Sequence, residues 1–123
     1  SLAYFNLALQ VDPMFIAARR NRANVLAHRG EISFAKQDID LCVKADPSGE
    51  TVYAAACVYA LLADKASEAE EPALSERAIQ LLGEAFKLGY GKDKAAADTD
   101  LTHLRHYPEF RRLLRQLPEA RAH

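Results

Sequence analysis

Apolar positions along the chain recur at helical spacing and are interrupted at regular points by proline and glycine. Leu2, Phe5, Leu7, Ala8, Leu9 and Val11 form a stripe that should end near Asp12, because Pro13 turns the residue before it away from helix. Pro13 opens the next segment, and Ile16, Ala17, Arg20, Ala23, Asn24, Leu26 and Ala27 lead as a second helix to Gly30. A third helix begins at Glu31, carries Ile32, Phe34, Ala35, Ile39, Cys42 and Val43, and stops before Pro47. Asp38 and Asp40 on that helix are expected to face solvent. Ser48 is a suitable cap for a fourth helix over residues 50–63. That segment is apolar nearly all round, which places it at the centre of a helical stack.

The pattern then breaks. Residues 64–76 hold five acids against one lysine and include Pro72, and read as an enlarged, solvent-exposed connection with a helical turn starting near Pro72. A fifth helix over 74–88 buries Ala78, Leu81, Leu82, Ala85 and Phe86 and ends at Gly89, a natural C-cap. A shorter piece follows over 92–97, then a single-turn segment with Asp100, Leu101 and Leu104. Pro108 starts a last helix, reaching about Leu117, with Phe110, Leu113 and Leu114 on its buried side, and the tail from Glu119 should fray.

The pair Asp12-Pro13 recurs 34 residues later as Asp46-Pro47, enclosing two helices and a glycine turn, so the chain is built on a helix-turn-helix repeat. In this arrangement residues 1–12 are the second helix of a truncated repeat and 14–47 a complete one. Residues 48–90 are a repeat with an insertion at about 64–76, and 91–118 cap the array. The opening half-pair leads us to expect a piece of a longer protein. It also leaves Leu2, Phe5 and Leu9 as an apolar end patch able to drive self-association.

These residues resemble the tetratricopeptide repeat family. Starting from Ile16, the family's small and apolar positions fall on Ala23, Gly30, Ala35, Ile39 and Cys42, and its terminal proline on Pro47. Phe5, Ala8 and Pro13 repeat this before it, and Cys57, Ala78, Leu82 and Ala85 after it. Arg19, where the family often has an aromatic, and Asp64, where its turn glycine is missing, depart from the pattern. The likeness covers roughly residues 1–90. The remainder, with Leu88-Gly89-Tyr90 and Pro108-Glu109-Phe110, looks like the closing segment of bacterial repeat arrays, some of which carry serine/threonine kinase domains.

The resemblance implies an all-α fold of αα-hairpins stacked in a right-handed superhelix, about two and a half pairs and a closing segment. First helices of such pairs line a concave face, which places Arg20, Asn24, Ala27, Thr51, Ala54 and Val58 on a peptide-binding surface. Arg20 and Asn24 lie four apart on one helical face and could grip a carboxylate or a peptide backbone together. The plainer reading is a solvated arginine beside a local hydrogen-bonder. Family members that clamp a C-terminal carboxylate need Lys and Asn on the next helix, where this chain has Thr51 and Ala55.

Composition narrows the remaining classes. The net charge of −1 gives no general attraction to nucleic acid or an anionic membrane. The arginine sets, Arg19, Arg20, Arg22 and Arg29, and Arg105, Arg111, Arg112, Arg115 and Arg121, lack the Gly-rich loop and interleaved aromatics of a single-strand binder. No apolar run has the length of a membrane span. Cys42 and Cys57 have neither Cys-x-x-Cys nor histidine spacing, and read as reduced packing thiols of a cytoplasmic protein. His103 and His106 are three apart but have no evident carboxylate setting, so surface or capping roles are expected, with no metal, cofactor or catalytic residue. The expected function is protein-protein interaction or scaffolding. The alternative is a structural spacer or regulatory region of a larger protein, such as a kinase.

Overall fold

The computed structural model describes residues 1–116, and among these every regular element is helical. The elements are α1 (Leu2–Val11), α2 (Ile16–His28), α3 (Ile32–Ala45), α4 (Gly49–Lys65), α5 (Glu71–Lys87), the 3-10 helices η1 (Ala95–Ala97) and η2 (Thr99–His106), and α6 (Pro108–Arg115). Breaks fall where backbone chemistry demands them. Between α2 and α3, Gly30 takes φ +77°, while its N–H bonds Ala27 and that of Glu31 bonds Leu26. This closure needs a left-handed residue, which glycine adopts without a Cβ clash. Ser48 caps α4 by accepting from the Thr51 N–H at 3.4 Å.

The core is organised around α4, which packs on α2, α3, α5 and η2. Between Thr51 and Ala63 only Ala54 and Leu61 escape full burial, matching the all-round apolar character of the segment. From α3 come Ala35, Ile39 and Cys42, and from α5 Leu74, Ala78, Leu81, Leu82 and Ala85. Leu101, Leu104 and Phe110 close the far side. Each large side chain buried here contributes on the order of 2 kcal/mol.

Three expectations are corrected. Asp38 is not in solvent; it is 4% exposed and faces α2, where Arg19 donates at 3.0 Å and Arg22 donates twice at 2.7 Å. Two guanidiniums three residues apart on α2 supply what a buried carboxylate requires. The enlarged connection at 64–76 is shorter, because α4 continues through Lys65 and α5 already begins at Glu71. Both helices gain length because their apolar faces pair along most of it.

The α1 patch is also turned relative to expectation. Leu9 is buried, Leu2 and Phe5 are half-buried, and the exposed stripe is Tyr4, Leu7 and Val11. Spacings of three and four place Leu2, Phe5 and Leu9 on the side that meets α2. α6 ends at Arg115, and the expected extension to Leu117 and the fraying tail lie outside the described residues.

Candidate functional site

A groove of about 250 Å³ lies between α2 and α4, with η2 at its edge. Arg20, Asn21 and Asn24 line it from α2, Tyr53, Ala54, Cys57 and Val58 from α4, and Asp100 from η2. Helical spacing accounts for both walls: residues 20 and 24, and residues 54 and 58, are each one turn apart. Arg20 donates to Thr51 Oγ1 at 3.2 Å and lies 3.6 Å from the exposed carboxylate of Glu50. Asn24 Nδ2 donates to Asp100 Oδ2 at 3.1 Å. Both long polar side chains are therefore held in place on the rim.

Of the six residues expected on this face, Arg20, Asn24, Ala54 and Val58 come together in the groove. Ala27 and Thr51 are corrected: each is fully buried. Ala27 is consumed by helix packing. Thr51 donates to Asp46 Oδ2 at 2.7 Å and accepts from Arg20. With Ser48 also donating to Asp46 at 3.3 Å, this network ties the start of α4 to the end of α3. It holds the Asp46 carboxyl below its ordinary 3.8, through Thr51 first, with Ser48 and Arg20 adding to it against partial desolvation.

The edge formed by η2 was not legible in the sequence. Asp98 starts η2, its Oδ1 accepting from the Asp100 N–H at 3.0 Å. Its Oδ2 accepts from Tyr53 Oη at 2.7 Å and from the Cys57 thiol at 3.7 Å. Asp100 turns to α2, meeting Asn24 and, at 3.4 Å, His28 Nε2. Two aspartates two apart thus staple η2 across α4 and α2. The Asp-x-Asp spacing is the sole sequence trace of this.

Gly91 makes that staple possible. It takes φ +97°, and a Cβ there would fall 2.6 Å from Tyr53 Cε1 and nearer still to Cδ1. The bare backbone lets the chain pass over the Tyr53 ring, which is 6% exposed and meets Tyr90 edge-on at 5.5 Å. Lys94 Nζ lies 4.6 Å from the Tyr90 ring centre and donates to Tyr90 Oη at 2.9 Å, which favours its charged form.

Both thiols are free and buried. Burial is the main cause that pushes Cys57 far above the usual thiol range, with Asp98 and Asp100 adding to it, and burial raises Cys42 to about 11. Tyr53 and Tyr59 serve the core: both are buried, and Tyr59 Oη donates to Asp40 at 2.7 Å. Phe110 is buried, whereas Phe15 is exposed. The first arginine set is largely spent on internal partners, Arg19 and Arg22 on Asp38, Arg20 on Thr51 and Glu50, and Arg29 on Glu31 at 3.5 Å. Arg105 donates to the Ala96 carbonyl and Arg111 to the Arg105 carbonyl.

His103 and His106 are also placed differently from expectation. His103 bridges Glu71 and Asp64, carboxylates supplied by α5 and α4, so the setting invisible in sequence is created by the fold. A cleft of about 520 Å³ lies elsewhere, between α5 and α6, and reaches Gln116 at the limit of the described residues. Glu84, Lys87, Glu109 and Arg112 line it, whereas the α2–α4 groove joins a polar rim to an apolar floor and is the functional candidate. No helix among the described residues is long and apolar enough to cross a membrane. The chain matches no protein-family model, and comparisons with curated proteins and with solved structures gave no significant match.

Proposed function

We propose that this chain is a protein-interaction module, a short stack of tetratricopeptide-like helical hairpins that holds an extended peptide segment against the α2–α4 groove. The observation that carries the reading is the groove's make-up. Its floor is small and apolar at Ala54 and Val58, and its rim presents a pre-positioned cation, Arg20, two amides, Asn21 and Asn24, and an anion, Asp100. Such a rim suits peptide backbone, which needs donors and acceptors together. At about 250 Å³ the space is below the usual 300–1,000 Å³ of small-molecule sites and suits one or two side chains of a longer ligand. The succession of contacts α2 with α3, α3 with α4, α2 with α4 and α4 with α5 fits consecutive stacked pairs.

A spacer role is the second reading. It is favoured by one observation: Arg20 and Asn24 already have internal partners, and η2 occupies the groove's edge. The two readings part on one experiment. Peptides selected from a random library against the folded chain are added to labelled protein, and amide shifts are mapped by NMR. Under the interaction reading the shifts gather at Arg20, Asn24, Ala54 and Val58. Ala54→Gln, which fills the half-exposed floor without removing helix propensity, weakens binding at least about tenfold. Shifts elsewhere, or equal binding by Ala54→Gln, would refute it in favour of the spacer.

A further inference from the structure

Further along η2 from the groove, side chains from three elements converge. His103 Nε2 lies 2.8 Å from Glu71 Oε2 at the start of α5, and His103 Nδ1 lies 3.3 Å from Asp64 Oδ1 near the end of α4. The His106 ring stands edge-on to His103 at 5.3 Å between centres. One ligand atom each from Glu71, His103 and His106 lies within 4.8 Å of the others. The backbone causes this register. In a 3-10 helix three residues make one turn, so side chains three apart eclipse, whereas α-helix would rotate them out of line. η2 is 3-10 for eight residues, well beyond the three or four in which this geometry is usually found.

We infer that Glu71, His103 and His106 form a binding site for a divalent first-row transition metal of zinc's type, bridging α5 and η2. Two imidazoles and one carboxylate make a mixed nitrogen and oxygen set, which favours zinc, cobalt, nickel or copper over the all-oxygen preference of magnesium and calcium. Ligand bonds of about 2.0–2.1 Å in a tetrahedron separate donor atoms by about 3.3 Å. The Glu71–His103 pair at 2.8 Å opens slightly to reach that spacing, and all three donor atoms already lie within 4.8 Å of one another. With Nε2 on the metal, Nδ1–H donates to Asp64, the arrangement in which an outer carboxylate fixes a ligating histidine's tautomer.

Glu71 is prepared for the role. Ser75 donates to its Oε2 at 2.6 Å, and Tyr107 donates to the same atom. These two bonds fix the orientation of the carboxylate at the start of α5. Three protein ligands leave a fourth tetrahedral position for water. A histidine serving only to join two carboxylates would not account for His106, whose ring is exposed yet held against His103 and, at 4.7 Å, Tyr107.

The test uses the chain without a histidine tag. Zinc is titrated in competition with a chromophoric chelator, and cobalt is added as a spectroscopic stand-in whose visible absorption reports four-coordinate geometry. One equivalent should bind with cobalt bands in the visible. His106→Ala and His103→Gln should each lose at least about tenfold in affinity and the bands, and Asp64→Asn about tenfold in affinity. Because His106 is exposed, its variant keeps the native circular dichroism and decides the matter even if His103→Gln is less stable. Failure to bind one equivalent, or affinity unchanged in His106→Ala, would overturn the assignment.

Discussion

Gly91→Ala should destabilise the fold far more than Gly89→Ala, although the two glycines are two residues apart and both lie at positive φ, +97° and +83°. At Gly89 a Cβ meets nothing within 4 Å, so the substitution costs only the left-handed backbone, about 1–2 kcal/mol. At Gly91 the same backbone term is joined by a Cβ inside contact distance of the Tyr53 ring. That ring cannot yield cheaply, since it is buried and its hydroxyl is bonded to Asp98. Overpacking adds about 1–3 kcal/mol, and release of the Tyr53–Asp98 bond adds about 1.5 kcal/mol more. The expected totals are about 1–2 kcal/mol for Gly89→Ala and about 3.5–6.5 kcal/mol for Gly91→Ala. Urea unfolding followed at 222 nm measures both on one scale, with an unchanged slope required for the comparison. Losses equal within about 0.5 kcal/mol would refute the argument that close approach to Tyr53, rather than backbone sign, fixes the position of η2.

Two further outcomes test the α2, α3 and α4 networks. Asp38→Ala strands Arg19 and Arg22, which remain 15% and 23% exposed in their side chains, and should lower stability by about 2–4 kcal/mol in the same urea assay. Asp46, held below its ordinary 3.8 chiefly by Thr51, binds fewer protons folded than unfolded, so its contribution is complete above that value and is lost as pH falls below it. The stability gap between the native chain and Thr51→Val should therefore narrow as melting temperatures are measured from pH 6 down to pH 3, and a gap that stays constant would contradict the linkage.

Much of the fold was readable because helix boundaries are local. Pro13, Gly30, Pro47, Gly89 and Pro108 act within one or two turns of themselves, and every helix start or stop they implied appears close to its place. The apolar run over α4 likewise determined its central position, because a helix without a polar face must be covered on all sides. The resemblance grouped Arg20, Asn24, Ala27, Thr51, Ala54 and Val58 on one face; four of them line one groove, while Ala27 and Thr51 are buried.

The remainder depended on pairs distant in sequence. Asp38 looked solvent-facing until α3 met the two arginines of α2, and Thr51 looked accessible until Asp46 and Arg20 enclosed it. The 3-10 course of η2 gave no periodic signal, since Leu101 and Leu104 alone mark its buried side. Its placement was decided by Asp98 reaching Tyr53 and Asp100 reaching Asn24, contacts spanning 45 and 76 residues. The same placement brought His103 to Glu71 and Asp64, 32 and 39 residues away. Helix is a bargain between near neighbours and is written locally, whereas a polar site assembles from groups whose proximity exists only once the helices have packed.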